Sequence, residues 1–260
     1  MVTSAETTLV GKRVVVTGAG QGVGQGLAKV FAESGAEVLV NDLRHDRASA
    51  VADDIVAAGG QASALVFDVT DFEAVNEALT GTGAVDVLVN NAGNAGAFPF
   101  TVGHTFADTT PADWEPFFAV NLFGVMHCTR AVMGGMAARG WGRIITMISD
   151  AGRTGDQNCA AYAAAKAGAA GFSRSVAIEG GRHGVTANCI ALGTMHTPLA
   201  DGLWAEPESE MAQKVLRDYV IRRPGTPDDV SHLALLLAGQ HGEWITGQTI
   251  PVNGGYSFAL

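Results

Sequence analysis

The sequence predicts an α/β protein built on a doubly wound parallel sheet of about seven strands, with helices on both faces. Three observations carry that prediction. Short β-branched runs, apolar throughout, alternate with longer stretches of helical period, and strands of that kind belong to a sheet covered on both sides. A glycine-rich turn, "TGAGQGVG" at 17–24, lies between the first such run and the first helix. No linker, repeat or low-complexity segment divides the 260 residues, so 1–260 reads as a single domain.

The elements follow in order. "RVVVTG" (13–18) is the first strand, and apolar residues at helical spacing over 22–34 make the first helix. "AEVLVND" (36–42), "ALVFDV" (64–69) and "DVLVNN" (86–91) are the next strands, separated by helices at 46–59 and 71–80. A long helix over 113–137 leads to "GRIITMIS" (142–149), and an Ala-rich helix over 157–180 leads to "VTANCIA" (185–191). A helix at 227–239 and the strand "QTIPV" (248–252) complete the set. Sheets of this type bind ligands beyond the carboxyl ends of their strands, near the point where strand order reverses.

Composition excludes several function classes. The net charge is −10 with no basic run, which argues against nucleic acid and against an anionic membrane surface. No apolar run reaches the ~18 residues of a membrane span, and the first twenty residues lack the basic-then-apolar layout of a signal peptide. Cys128, Cys159 and Cys189 are odd in number and far apart, and the seven histidines form no ligand pattern, so neither disulfides nor a metal is expected. The expected protein is cytoplasmic and metal-independent. Only 16% of residues are charged, which points to a buried subunit interface.

The glycine turn carries the first chemistry. Gly18, Gly22 and Gly24, with Gln21 and Val23 between them, give G-x-x-x-G-x-G rather than the literal dinucleotide fingerprint. The physics is shared: a tight turn, close backbone approach, and a helix N-terminus offering N–H groups to a pyrophosphate. Asp42 ends the second strand, where a carboxylate accepts both ribose hydroxyls of an adenosine and repels a 2′-phosphate. The reading is NAD rather than NADP, with Arg44, two residues on, the basic side chain that keeps a phosphate open. In "AAYAAAKAG" (160–168), Tyr162 and Lys166 are four apart in a helix-forming stretch and share a face.

Several motifs in order make the chain resemble the short-chain dehydrogenase/reductase family from about Val10 to Tyr256. They are "TGAGQGVG" (17–24), "NNAG" (90–93), "NLFG" (121–124), "ISDAG" (148–152), "YAAAK" (162–166) and "TGQTIPVNGG" (246–255). The resemblance implies a Rossmann-type fold and a catalytic set at Asn121, Ser149, Tyr162 and Lys166, with Ser149 13 residues before Tyr162 as the family requires. Tyr162 is then the general acid/base. Lys166 lowers its pKa and bonds the nicotinamide ribose, Ser149 donates to the substrate oxygen, and Asn121 holds a water linking Lys166 to solvent. A cation at ~4 Å in an effective dielectric of ~20 is worth about 4 kcal/mol, enough to bring a phenol close to a working pH. Asp68 and Val69 match the adenine-contacting pair. Asn90, Ala92 and Gly93 match the motif that lines the adenosine side and steadies the sheet. Met195 and Thr197 match the residues that hold the nicotinamide carboxamide, although Leu192 stands where the family usually has proline.

The implied activity is hydride transfer between NAD(H) and a secondary alcohol or ketone of hydrophobic or cyclic type. A hydroxyacyl thioester is also in range, because "ISDAG" resembles cyclic hydroxyacyl-CoA dehydrogenases. Reduction of 3-oxoacyl groups and oxidation of steroids or diols stay open, as does, outside catalysis, an NAD(H)-sensing scaffold. Segments 94–114 and 195–219, the latter the family's substrate lid, should border the substrate. Phe98, Phe100, Phe106, Met195, Leu199, Leu203 and Trp204 would form an apolar wall, and His104 and His196 could meet a polar substituent. Arg153 either contacts an acidic substrate or pairs with Asp150 or Asp156. The low-charge faces of 113–137 and 157–180 correspond to subunit contacts in the family and imply a homotetramer.

Overall fold

Seven parallel strands form one sheet in the order β3-β2-β1-β4-β5-β6-β7, in a computed structural model that describes residues 8–94 and 105–258. The strands are β1 (Arg13–Val16), β2 (Glu37–Asp42), β3 (Gln61–Val66), β4 (Val87–Asn90), β5 (Gly142–Ser149), β6 (Val185–Leu192) and β7 (Thr249–Val252). Chain order reverses between β1 and β4, which are hydrogen-bonded neighbours with Val15 opposite Leu88. The doubly wound, Rossmann-type class expected from the sequence is the class observed.

Period-two alternation divides the core into two layers. Val14 and Val16 of β1 and Val87 and Val89 of β4 face one side, where α1 (Gly22–Glu33), α2 (His45–Ala57) and α10 (Pro227–Ala238) bury Leu27, Phe31, Val51 and Leu237. Val15 and Leu88 face the other, against α3 (Phe72–Gly81), α5 (Gly124–Arg139) and α7 (Ala160–Gly181). Full burial of a side chain such as Leu27 or Leu88 contributes about 2 kcal/mol.

Two boundaries differ from expectation. The third strand was expected at 64–69 but pairs with β2 over Gln61–Val66. Asp68 ends it, because its carboxylate accepts from the Thr70 N–H and hydroxyl, both at 2.8 Å, and turns the chain. Phe67 and Val69 stay buried beyond the ladder, which is why the apolar run overshoots the strand. The helix expected at 113–137 runs from α4 (Pro111–Phe118) through a single π turn, Ala119–Phe123, into α5. By length and composition this stretch, Pro111–Arg139, is the one helix among the described residues apolar enough to cross a membrane. Here its inner face packs on the sheet through Cys128, Val132 and Met136.

After β6 the chain makes a 3-10 turn at Pro198–Ala200 and two short helices, α8 (Asp201–Trp204) and α9 (Glu210–Arg217). These cover the carboxyl ends of the strands and have a small core of their own, Leu203, Trp204, Ala212 and Leu216.

Candidate active site

Ser149 is the last residue of β5, and α6 (Ala151–Thr154) turns the chain back toward α7. Its hydroxyl accepts from the Ala151 N–H at 3.2 Å and is hydrogen-bonded to the Tyr162 phenol. Tyr162 and Lys166 lie one turn apart on α7, with the lysine ammonium 5.9 Å from the phenol ring centre. Lys166 is only 5% exposed and donates to the Met147 carbonyl at 2.9 Å. All three side chains line one cavity of about 440 Å³ at the carboxyl edge of the sheet.

The expected electrostatic tuning is not what this geometry gives. Burial pushes the Tyr162 phenol up to about 12, with the Ser149 hydrogen bond pulling the other way. Burial also brings Lys166 down to about 8. Both charged forms lose hydration, and the ammonium is turned to a backbone carbonyl rather than to the phenol. Asn121 departs from expectation as well. Wholly buried in the π turn, its amide donates to the Asn94 and Phe117 carbonyls (2.7 and 2.9 Å) and its oxygen accepts from the Asn94 N–H at 3.1 Å. Both N–H groups are spent on backbone, so the residue clamps the chain at Asn94. A Cβ on Gly93 would lie 3.3 Å from the Asn121 oxygen and 3.4 Å from the Lys166 nitrogen, so the two groups close on the same glycine.

A second cavity, of about 380 Å³, lies over the β1–α1 turn and shares Val23, Asn91, Gly93 and Thr197 with the first. Gly18, Gln21, Gly22, Asp42, Asp68, Val69 and Ala92 line it as well. Gly18 has φ +61° and a Cβ there would fall 2.8 Å from Ala92 Cα, so the turn admits glycine alone. Gln21 supplies no side-chain cap to α1 and no acid sits in its first turn, which leaves its N-terminal dipole uncompensated. The Asp42 carboxylate, held by the Gly20 and Arg44 N–H groups at 3.2 and 3.0 Å, stands at the far edge. A joined groove with a glycine turn, a bare helix N-terminus and a terminal carboxylate fits a dinucleotide.

Three expected cofactor-side residues are placed otherwise. Gly24 lies under the turn, where a Cβ would meet the Asn91 amide at 2.4 Å, and does not line the cavity. Asn90 is buried beneath the sheet edge and donates to Thr129 at 3.2 Å. The Arg44 guanidinium is held on Asp46 at 2.5 Å, and Arg47, from the first turn of α2, lines the cavity beside Asp42 instead. Sequence reasoning also passed over Asn41 and Asn91. Asn91 donates to the Thr17 and Gly18 carbonyls, and Asn41 ties Gly18 to the end of β3. The second asparagine of "NNAG" was a signal in plain view.

A family model described as enoyl-(acyl carrier protein) reductase matches residues 18–257. The 7alpha-hydroxysteroid dehydrogenase of Escherichia coli (strain K12) is 36% identical over 259 residues, 98% of each chain. The chain belongs to the short-chain dehydrogenase/reductase family. It is thereby an oxidoreductase of hydroxyl or keto substrates that works with a nicotinamide cofactor. A second relative in the family, subunit BbsD of the (2S)-[(R)-hydroxy(phenyl)methyl]succinyl-CoA dehydrogenase of Thauera aromatica, is 37% identical over 94% of this chain and 95% of its own. A gluconate 5-dehydrogenase from Burkholderia cenocepacia, solved with NADP and tartrate, superposes with a TM-score of 0.88 at 31% identity, covering 97% of this chain and 98% of that one.

In this short-chain dehydrogenase/reductase, the cavity that holds Ser149, Tyr162 and Lys166 is also lined by Met195, Leu203, Val215, Tyr219 and Tyr256. Trp204, expected there, is buried in the lid core, with its indole N–H on the Met195 carbonyl at 3.3 Å. Phe106, also expected, stacks on Trp114 with ring centres 5.0 Å apart and is half exposed. His196 faces Asp201 at 3.6 Å. Phe98, Phe100 and His104, and the side chain of Leu199, lie outside the described residues. Cys159, unassigned by the sequence reading, also lines the cavity, and burial raises its thiol to about 11.

Proposed function

We propose that the protein is an NAD-dependent dehydrogenase or reductase of secondary alcohols and ketones, with Ser149, Tyr162 and Lys166 as its catalytic set and Asn121 as a positioning residue that holds the chain at Asn94. The observation that carries the reading is the single groove in which Ser149, Tyr162 and Lys166 stand at one end and the glycine turn and Asp42 at the other. A phenol pushed up to about 12 keeps its proton at neutral pH, so Tyr162 is ready to give it to a carbonyl oxygen in reduction. Ser149, already bonded to that phenol, offers its hydroxyl to the same oxygen. In oxidation the alcohol proton passes to the Tyr162 phenolate, whose charge the Ser149 hydrogen bond favours. A nicotinamide bound in the groove supplies or accepts the hydride.

Gly18, Gly22, Val23, Asp68, Val69, Ala92 and Gly93 would hold the adenosine and pyrophosphate, and Met195, Thr197 and Lys166 the nicotinamide end. Asp42 favours NAD. The wall of Met195, Leu203 and Val215 suits a hydrophobic or cyclic substrate, and the related hydroxysteroid dehydrogenase supports that class. Phe123, Met126 and Ile178 leave large apolar groups exposed on the outer faces of the helices at 111–139 and α7, which supports association of copies into the homotetramer.

The test is Tyr162→Phe. Turnover, followed at 340 nm across alcohols and ketones, should fall at least ~100-fold while NAD(H) still raises the melting temperature. A fully active variant would remove Tyr162 from its role. Dinucleotide binding by the wild type with no turnover on any compound would favour the sensing scaffold.

A further inference from the structure

Tyr256 of the C-terminal segment 253–258 lines the cavity, and the way that segment is fastened decides which charges the cavity presents. Arg153 donates to the Asp150 carboxylate at 2.6 Å, to the Ser257 hydroxyl at 2.7 Å and to the Phe258 carbonyl at 3.2 Å. The Asn253 amide donates to the other Asp150 oxygen at 2.5 Å and to the Ser257 carbonyl at 2.9 Å. Asp150 is 2% exposed, so this is a buried latch between the residue after Ser149 and the chain's end. Of the two roles the sequence offered Arg153, contact with an acidic substrate or pairing with Asp150 or Asp156, the latch takes the pairing with Asp150.

A second fastening is the Tyr256 hydroxyl, which donates to Asp156 at 2.7 Å. The Tyr256 ring leans on Tyr219 with centres 5.2 Å apart, and the Tyr219 hydroxyl donates to the Thr194 hydroxyl at 2.9 Å. Asp156, Asp218, Tyr219 and Tyr256 all line the cavity. Among the described residues, Lys166 at the catalytic end is the only cation that does. Lys214 and Arg217 of the lid are exposed and outside the lining, and residues 95–104 contain neither lysine nor arginine.

We propose that this cavity is selective for uncharged substrates, with Asp156 and Tyr256 as its specificity-determining pair and the Arg153–Asp150 latch holding them in place. The inference rests on the oxidoreductase reading above and narrows it. The part of the substrate that enters beyond the reacting carbon carries no carboxylate or phosphate, because an anion there finds Asp156 and Asp218 and, among the described residues, no free counter-ion. A hydroxyl is accommodated by donating to an Asp156 oxygen, and an ester, which has no proton to give, by the apolar wall.

The experiment compares kcat/KM at pH 7.5 for matched pairs, methyl ester against free carboxylate, of 3-hydroxybutyrate, 4-hydroxycyclohexanecarboxylate and a hydroxycholanoate. We expect esters to exceed acids at least tenfold, with the ratio shrinking as salt is raised. In Asp156→Asn, which keeps an acceptor for Tyr256, the ester-to-acid ratio should fall at least threefold. Thermal shifts with each ester and acid, in the presence of dinucleotide, check that the variant is folded and rank the ligands by binding. Acids turned over as well as their esters would overturn the inference and leave the oxidoreductase reading intact. Turnover of neither member of any pair, with no ester-dependent thermal shift, would overturn both.

Discussion

Tyr162 and Lys166 share a face of α7 because they are four residues apart, and both are desolvated by the same packing. Their pKa values therefore move apart: the phenol rises from 10.0 to about 12 and the ammonium falls from 10.5 to about 8. For Lys166 the consequence for stability has a definite sign. Between pH 8 and 10.5 the unfolded chain holds the lysine proton and the folded chain releases it, so the cost of burying the charge is full below about 8 and relieved as pH rises. That depression amounts to about 3 kcal/mol. Denaturant unfolding without dinucleotide should show wild type gaining on Lys166→Met by about that much between pH 7.5 and 10.5. A pH-independent difference would mean that the lysine is not desolvated. The pairing was legible in the sequence through helical spacing. The direction of both shifts was not, since burial depends on β5 and the lid closing over the pair.

At the scale of elements, the cofactor end of the groove is made by three chain segments that spacing alone cannot bring together. The turn after β1, the end of β2 and the first turn of α2 meet where Gly20 contacts both Asp42 and Arg47: a Cβ on Gly20 would lie 2.6 Å from atoms of each. Arg44 was the nearer basic residue in sequence, but it sits at the α2 cap and pairs with Asp46, while Arg47 turns toward the cavity. Asp42→Ala should therefore raise the affinity for NADP(H) relative to NAD(H) at least tenfold by calorimetry, with Arg47 the cation facing the added phosphate. The gain should vanish in the Asp42→Ala, Arg47→Ala double variant. An unchanged preference in Asp42→Ala would dismiss the carboxylate as the discriminator. The π turn at Ala119–Phe123 was equally out of reach. The apolar spacing of 113–137 reads as plain α-helix, yet one wider turn swings Asn121 onto the Asn94 backbone.

For the whole molecule, the outer faces of the helices at 111–139 and α7 are the open question. Phe123 is 49% exposed and Ile178 81% exposed, beside a stretch with little charge. Covering them with a second copy removes that apolar surface from water. Light scattering at micromolar protein should give the mass of four chains, and Ile178→Glu should shift it toward smaller species. A wild-type monomer would refute the interface.

The sequence by itself determined the sheet, its seven strands, the glycine turn, Asp42 and the four-residue spacing of Tyr162 and Lys166. Each is written in local pattern: alternation, helical period, or a turn that only glycine makes. The tertiary structure alone decided which arginine reaches the cavity, how Asn121 is spent, and that the C-terminal segment is fastened at the cavity through Arg153, Asp150 and Asn253. The Arg153–Ser257 and Asn253–Asp150 contacts join residues about a hundred positions apart, which meet only once the layers have packed.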